Sequence, residues 1–278
     1  MANPKPFQGK VICITGAAQG IGWATAEYLA VRGATLSLCD LSFEKDGSTV
    51  ADGVSGSDTL KMYADVCDPE TVKTWIETTM GKFGRIDGCV NNAGTMICTH
   101  FRTPNDRRRN LQLTLNCSGV PPKKIVPITE MELDDWNQII NVNLTGVFNC
   151  LKYEMQHIVD GGSIVNVASV AGLKGAAKFS SYIASKHGVV GLTKAAACDG
   201  APRQIRVNAV CPSPIKTAMH THLEEEGLYP KGQEGLSTML IPKLGQPEEV
   251  AASIAFFLSD EAKFLTRVLH PVDGGWSG

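Results

Sequence analysis

The run Val11-Ile-Cys-Ile-Thr-Gly-Ala-Ala-Gln-Gly-Ile-Gly22 joins a short β-branched segment to a turn with three glycines, and apolar residues follow at helical spacing. It predicts a strand over 10–15, a tight turn and a helix over 20–32. Such a turn brings backbone N–H groups and the positive end of a helix to one point, where a pyrophosphate can bind. The glycine spacing is looser than Gly-x-Gly-x-x-Gly, so a purely structural strand-to-helix turn is the alternative.

Strand-like and helix-like segments alternate along the rest of the chain. β-branched runs predict strands at 35–40, 60–65, 86–90, 163–169, 205–210 and 268–272. Helical spacing predicts helices at 69–78, at 133–157, around Tyr182 and at 247–258. Alternation is typical of a parallel sheet with helices on both faces, because parallel strands need crossover connections. With no repeat and no Pro/Ser-rich linker, residues 1–278 are expected to form a single doubly wound α/β domain.

Composition argues for a small-molecule site. The formal net charge of −2 gives no electrostatic footprint for nucleic acid or an anionic membrane. No apolar run approaches the roughly 20 residues of a membrane span, and residues 1–10 lack the apolar region of a secretory signal. The nine cysteines are scattered without a Cys-x-x-Cys pair, as expected of buried free thiols in a reducing compartment. We therefore expect a cytoplasmic protein, and no residue cluster has the ligand spacing of a metal site.

Two acids follow the predicted strands. Asp40 lies about 20 residues beyond the glycine turn, where a carboxylate can accept hydrogen bonds from both hydroxyls of an adenosine ribose and repel a 2′-phosphate. This position favours NAD over NADP, although a turn-forming acid at a strand end is the alternative. Asp65 can meet the amino group of an adenine, with Val66 against the ring, or equally cap the following loop.

Tyr182 and Lys186 lie one helical turn apart in Ser180-Ser-Tyr-Ile-Ala-Ser-Lys-His187. A free tyrosine has a pKa of about 10, so it is a poor acid or base at neutral pH unless a nearby cation favours the phenolate. Lys186 can be that cation. Alone the spacing is common, and its weight comes from the motifs that precede it.

Those motifs occur in a fixed order, and in that order the chain resembles the short-chain dehydrogenase/reductase family over nearly its whole length. They are Thr15-Gly-x-x-x-Gly-Ile-Gly22, Asp65-Val66, Asn91-Asn-Ala-Gly94, Asn143, Ser169, Tyr182-x-x-x-Lys186 and Arg206-Val-Asn-Ala-Val-Cys-Pro212. The resemblance implies a Rossmann-type sheet of seven strands in the order 3-2-1-4-5-6-7. It also implies hydride transfer between a nicotinamide and an alcohol or carbonyl.

The resemblance places the catalytic roles on four residues. Tyr182 would be the acid/base, and Lys186 would lower its pKa and bind the nicotinamide ribose. Ser169 would hold the substrate oxygen, and Asn143 would anchor a water that links Lys186 to solvent. Taken alone, Ser169 could be an ordinary strand-end hydroxyl and Asn143 a helix-interior amide bonded to its own backbone. The expected cofactor-binding residues are Gly16, Gln19, Gly20, Ile21, Gly22, Asp40, Asp65, Val66, Asn92, Ala93, Gly94, Tyr182, Lys186, Pro212, Ile215 and Thr217.

The chain departs from the family pattern in three places. The spacing from Gly94 to Asn143 is too long, and the excess, at about 98–122, could be a lid over the site, a subunit contact, a disordered segment or a translated intron. Ser213 and Arg267 stand where glycines are usual, which puts a local turn in doubt because a residue with a Cβ is strained at positive φ. Residues 216–243 are expected to form the lid that selects the substrate.

We therefore expect an NAD(H)-dependent oxidoreductase that interconverts a secondary alcohol and a ketone on a small molecule, with cyclic and polycyclic secondary metabolites among the candidates. The alternatives are an NADPH-dependent carbonyl reductase, and a dinucleotide-binding scaffold or regulatory protein whose site is blocked by the 98–122 segment. The family resemblance further implies a homodimer or homotetramer.

Overall fold

Seven parallel strands form one sheet in a computed structural model that describes residues 5–43, 54, 57–96, 125–225, 227 and 236–277. The order is β3-β2-β1-β4-β5-β6-β7, as the family resemblance implied. The strands are β1 (Val11–Thr15), β2 (Thr35–Asp40), β3 (Thr59–Tyr63), β4 (Gly88–Asn91), β5 (Ser163–Val167), β6 (Arg206–Pro212) and β7 (Leu269–Val272).

Helices cover both faces of the sheet. They are α1 (Gly20–Ala30), α2 (Pro69–Phe83), α3 (Leu133–Ile140), α4 (Gly146–His157), α5 (Ser180–Gly200), α6 (Ala218–Glu225) and α7 (Pro247–Leu258). Side chains alternate across each strand, so Ile12 and Ile14 pack with α1 and α7 in one core. Cys13 points the other way and packs with α2, α4 and α5 in a second core. None of the helices described is both long and apolar enough to cross a membrane.

Several elements end elsewhere than their residue patterns predict. Helix α2 continues to Phe83 because Thr79 still lies on the buried face, and Gly84 ends it in the left-handed region at φ 74°. The predicted helix over 133–157 is interrupted by a π turn at Asn141–Thr145. β5 ends at Val167, so Ser169 lies just beyond the strand.

The two missing glycines behave differently. Arg267 adopts φ 63°, in the left-handed region, as its place in a glycine turn predicted. Ser213 is not among the described residues with positive φ, so the strain expected there is absent. Its N–H donates to the Val272 carbonyl at 3.2 Å, which fixes the end of β6 to β7 without a left-handed residue.

The seven cysteines within the described residues are free thiols. Cys13, Cys39, Cys89, Cys150 and Cys211 are buried, as predicted. Cys67 is half-buried and Cys198 is exposed, while Cys98 and Cys117 lie outside the described residues. Burial raises the pKa of the Cys39, Cys89 and Cys150 thiols well above the ordinary value, which keeps them protonated and unreactive.

Candidate active site

The glycine turn after β1 needs its glycines for close packing. A Cβ on Gly16 would lie 2.9 Å from the Ala93 Cα, and one on Gly22 would lie 2.1 Å from the Gly16 carbonyl oxygen. Gly16 and Gly20 also have positive φ, at 63° and 57°. Gln19, which precedes α1, makes no side-chain cap hydrogen bond to the first turn. The N–H groups in the first turn of α1, which Gln19 does not cap, suit the pyrophosphate of a dinucleotide.

Asn92 and Thr15 brace this turn. The Thr15 hydroxyl accepts hydrogen bonds from the N–H groups of Asn92 and Ala93, both at 3.0 Å. The Asn92 side-chain amide donates to the Thr15 and Gly16 carbonyls at 3.2 and 3.0 Å. Asn92 was predicted to bind the cofactor, and its side chain also holds the ends of β1 and β4 together. Thr15 was not predicted as a site residue. Its position, a hydroxyl residue immediately before the first glycine of the turn, could have indicated this role.

Asp40 ends β2 and faces the same turn. Its carboxylate accepts hydrogen bonds from the Ala18 N–H at 3.1 Å, from the Ser42 N–H at 2.9 Å and from the Ser42 hydroxyl at 2.8 Å. Burial raises the pKa of the Asp40 carboxyl, and these hydrogen bonds oppose the rise. Asp40 therefore combines the position expected of a ribose ligand with the turn-forming role that was the alternative.

Asp65 and Val66 follow β3 as a structural corner. Asp65 accepts a hydrogen bond from the Cys67 N–H at 2.9 Å, which is the loop cap considered from the sequence. A Cβ on Gly146 would lie 2.7 Å from a Val66 methyl, so the start of α4 packs tightly on Val66. The Val66 carbonyl accepts from the Asn149 amide at 2.8 Å.

Asn143 lies in the π turn and is fully buried. Its side-chain oxygen accepts from the Thr95 N–H at 2.6 Å, and its amide donates to the Thr95 carbonyl at 2.6 Å and to the Ser185 hydroxyl at 3.1 Å. Asn143 therefore bonds to Thr95 and Ser185, neither of which was predicted, rather than to its own helix.

The four predicted catalytic residues converge from three elements. Lys186, on α5, is buried, and its ammonium donates to the Val167 carbonyl at 2.9 Å. The same nitrogen lies 5.7 Å from the centre of the Tyr182 ring. The Ser169 hydroxyl lies at the carboxyl end of β5 and contacts the Pro212 carbonyl at 3.5 Å. Gly94 joins them to Asn143, because a Cβ there would lie 3.3 Å from the Asn143 oxygen and 3.5 Å from the Lys186 nitrogen.

The segment after β6 closes the site from the side of the glycine turn. A Cβ on Gly20 would lie 3.3 Å from a Thr217 methyl. The Thr217 hydroxyl donates to the Ile215 carbonyl at 3.3 Å and accepts from the His220 N–H at 3.4 Å. Of the expected lid, α6 and residues 236–243 are described, and the predicted insertion at 98–122 lies outside the described residues.

A cavity of about 420 Å³ opens between these elements. Twelve of the predicted site residues line it: Gly16, Gln19, Gly20, Ile21, Asn92, Gly94, Ser169, Tyr182, Lys186, Pro212, Ile215 and Thr217. The predicted residues that do not line it are Gly22, Asp40, Asp65, Val66, Ala93 and Asn143. Among the described residues there is no group of three or more metal-ligating side chains. The cavity thus holds Tyr182, Lys186 and the glycine turn, while Asp40 lies to one side.

A buried polar chain that the sequence did not reveal lies behind the site. The Asn91 amide donates to Glu154 at 2.9 Å and to Asn166 at 3.0 Å, and the Asn166 amide donates to Thr193 at 2.9 Å. Burial raises the pKa of the Glu154 carboxyl to about 7, against hydrogen bonds from Asn91 and Cys89 that lower it. The sequence gives little sign of this chain, because its four polar residues lie in different strands and helices and form no motif together.

Comparisons with known proteins point in one direction. Residues 10–227 match the model of the short chain dehydrogenase family. The short-chain dehydrogenase/reductase ABA4 of Pyricularia oryzae is 38% identical over 278 residues, covering 99% of this chain and 95% of the relative. The cyclohexanol dehydrogenase of Acinetobacter sp. (strain SE19) is 36% identical over 274 residues, covering 98% and 96%. The crystal structure of levodione reductase superposes with a TM-score of 0.80 at 33% identity, covering 98% of each chain.

Proposed function

Since this chain belongs to the short-chain dehydrogenase/reductase family, we propose that it interconverts a secondary alcohol and a ketone on a small ring-containing metabolite, with NAD(H) as cofactor. The protein is an oxidoreductase of the CH–OH group, as its relatives are. The observation that carries the finer proposal is the shared cavity, in which Tyr182 and Lys186 face the same space as the glycine turn.

Tyr182 is the proposed acid/base. In reduction its hydroxyl donates a proton to the ketone oxygen, and in oxidation its phenolate removes the proton from the alcohol. The Lys186 ammonium, 5.7 Å from the ring centre, stabilises the phenolate by its charge. The Ser169 hydroxyl donates a hydrogen bond to the same substrate oxygen. A bound nicotinamide supplies or accepts the hydride.

The proposed preference for NAD rests on Asp40. A carboxylate at the end of β2 can accept from ribose hydroxyls, and its charge opposes a 2′-phosphate. Although Asp40 accepts hydrogen bonds from Ala18 and Ser42, a carboxylate has about four acceptor sites, so it can still receive a ribose hydroxyl. Turnover measured with each cofactor in turn tests the alternative, NADPH.

The substrate class follows from the apolar lining and from a relative. The cavity is bordered by Met96, Phe179, Ile183, Met219 and Leu223. A relative that matches this chain over nearly its whole length is named a cyclohexanol dehydrogenase. We therefore expect cyclic alcohols and ketones to be substrates. A homodimer or homotetramer and a cytoplasmic location stay predictions, and light scattering tests the first with a mass above that of the monomer.

The test is turnover of a panel of cyclic alcohols, followed by NADH or NADPH absorbance with each cofactor in turn. Tyr182→Phe should lower kcat by roughly 10²- to 10⁴-fold, since the proton transfer is lost, while NADH binding stays intact. Tyr28→Phe, which removes a hydroxyl on α1 outside the cavity, is the matched control and should retain full activity. Retention of most activity by Tyr182→Phe would show that the mechanism is wrong.

A further inference from the structure

The wall of the cavity is completed by a turn that follows β7. Trp276 lies in this turn and lines the cavity together with Lys174, which comes five residues after Ser169. The Lys174 ammonium donates to the Trp276 carbonyl at 2.9 Å and lies 3.9 Å from the centre of the Trp276 rings. One cation therefore holds both the backbone and the face of this tryptophan.

The turn that carries Trp276 is itself fixed. The Asp273 carboxylate accepts from the Gly275 N–H at 2.9 Å and from the Ser277 N–H at 2.8 Å. The Ile241 N–H donates to the Gly274 carbonyl at 2.9 Å, and a Cβ on Gly275 would lie 2.8 Å from a Leu240 methyl. The turn thus joins the end of the predicted lid to the segment after Ser169, with Trp276 between them.

We propose that Trp276 is the substrate-contacting residue that selects uncharged ring compounds, and that Lys174 is a positioning residue that holds its indole against the substrate. This inference rests on the proposed function of the same cavity. An indole supplies a large, rigid apolar face at low conformational cost, which suits the flat side of a ring better than an open chain.

Both cations of the cavity wall are already bound to groups of the protein. Of the described residues that line the cavity, Lys174 and Lys186 carry full positive charges. Lys186 is bonded to Val167 beside Tyr182, and Lys174 is bonded to Trp276. The Lys174 ammonium has three N–H donors, so a substrate carboxylate can still reach it, but the carboxylate would compete with the Trp276 rings for its charge, whereas a neutral ring leaves that contact intact. The face of Trp276 therefore suits a neutral ring better than a carboxylate.

The first test replaces Trp276 and compares substrates of different size. With cyclohexanol, Trp276→Ala should raise KM by about tenfold or more with little change in kcat, because contact common to the ground and transition states is lost. With the bicyclic 2-decalol the loss in kcat/KM should be smaller, since the vacated space accepts the second ring. Trp276→Phe, which keeps an aromatic face, should restore most of the affinity for cyclohexanol.

Binding without turnover gives a second readout. Cyclohexanone, added to enzyme saturated with oxidised cofactor, cannot react, and it should change the intrinsic fluorescence of the wild-type protein. Trp276→Phe should lose most of this change, because Trp23, Trp75 and Trp136 do not line the cavity. An unaltered fluorescence response in that variant, or an unaltered ratio of cyclohexanol to 2-decalol kcat/KM in Trp276→Ala, would overturn the proposal.

Lys174 is tested by a double-mutant cycle. Lys174→Met should raise the cyclohexanol KM by about 2- to 5-fold, the range expected for a cation–π contact, and Lys174→Arg should largely restore it. Added to Trp276→Ala, Lys174→Met should have no further effect, since its role acts through the indole. Additive effects would mean that Lys174 does not position Trp276.

An anionic substrate tests whether Lys174 binds a substrate anion instead of positioning Trp276. Wild-type enzyme should have a lower kcat/KM for 4-hydroxycyclohexanecarboxylate than for cyclohexanol. Lys174→Met should lower the kcat/KM for the carboxylate by no larger a factor than it lowers the kcat/KM for cyclohexanol. A wild-type preference for the carboxylate that Lys174→Met abolishes would make Lys174 an anion ligand and overturn the proposal. Failure of the proposed function looks different, because wild-type enzyme would then oxidise no alcohol in the panel.

Discussion

Single residues set how the stability of this protein depends on pH, and Glu154 is the clearest case. Its pKa is about 7 in the folded protein against an ordinary 4.5. Between these values the native state binds a proton that the unfolded chain does not, so this group makes stability fall as pH rises from about 4.5 to 7. The total is roughly 3 kcal/mol at 1.36 kcal/mol per pKa unit.

Glu154→Gln should remove that contribution. The variant keeps the shape, and its amide can donate to the Asn91 side-chain oxygen, which has no hydrogen-bond partner in the described part of the chain. In urea unfolding between pH 5 and pH 8, the free energy of unfolding of the variant should rise relative to that of wild type as pH increases. The relative increase should reach about 2 to 3 kcal/mol at pH 8. Parallel pH profiles for the two proteins would contradict the assignment.

Arg267 carries strain that glycine relieves. It has φ 63° before β7, where its N–H donates to the Val207 carbonyl at 2.8 Å. Arg267→Gly should be more stable than Arg267→Ala by about 1 kcal/mol, since both lose the side chain and only glycine adopts this φ freely. Denaturant midpoints of the two variants measure the difference. Equal midpoints would show that the turn relaxes around a Cβ without strain.

At the scale of elements, the π turn between α3 and α4 decides where Asn143 points. The extra residue in this turn aims the side chain out of the helix ladder and onto Thr95. The turn thereby connects the helix pair to the segment after β4, where Gly94 borders the Lys186 nitrogen.

Asn143→Ala should therefore affect stability and catalysis together. Two short hydrogen bonds to the Thr95 backbone are lost, which should cost about 1 to 3 kcal/mol in the free energy of unfolding. Loss of kcat should accompany it, because Gly94, which precedes Thr95 and borders Lys186, is no longer held in place. Asn137→Ala, at an exposed position on α3, should change stability by no more than about 0.5 kcal/mol. A stable but inactive Asn143→Ala would assign Asn143 to chemistry alone.

At the scale of the whole molecule, cofactor binding should appear as added stability. A ligand at 100 times its Kd adds about 2.7 kcal/mol, so NAD⁺ should raise the melting temperature more than NADP⁺ at equal concentration. Asp40→Ala should narrow that gap, since the repelling carboxylate is gone. If Asp40→Ala gains no affinity for NADP⁺, Asp40 is not the discriminator.

The sheet was predictable because its evidence is local and repeated. Period-2 and period-3.6 patterns mark strands and helices, and a glycine turn marks the crossover from β1 to α1. The Asn143 contact was not predictable, because the apolar pattern of 133–157 is the same for an α-helix and for one with a π turn. Trp276 was missed for another reason: its contact with Lys174 joins residues 102 positions apart, and no spacing in the chain records it.

The bond between Asp40 and Ala18 has a consequence for protein engineers. The carboxylate proposed to choose the coenzyme also accepts a hydrogen bond from the Ala18 N–H of the glycine turn, at 3.1 Å. Swapping coenzymes by deleting this acid therefore also loosens the turn that must hold either one. A redesign for NADP should keep an acceptor there, for example Asp40→Asn, and add its cation elsewhere. Coenzyme selectivity and the rigidity of the glycine turn both depend on the Asp40 side chain, so a redesign has to treat them together.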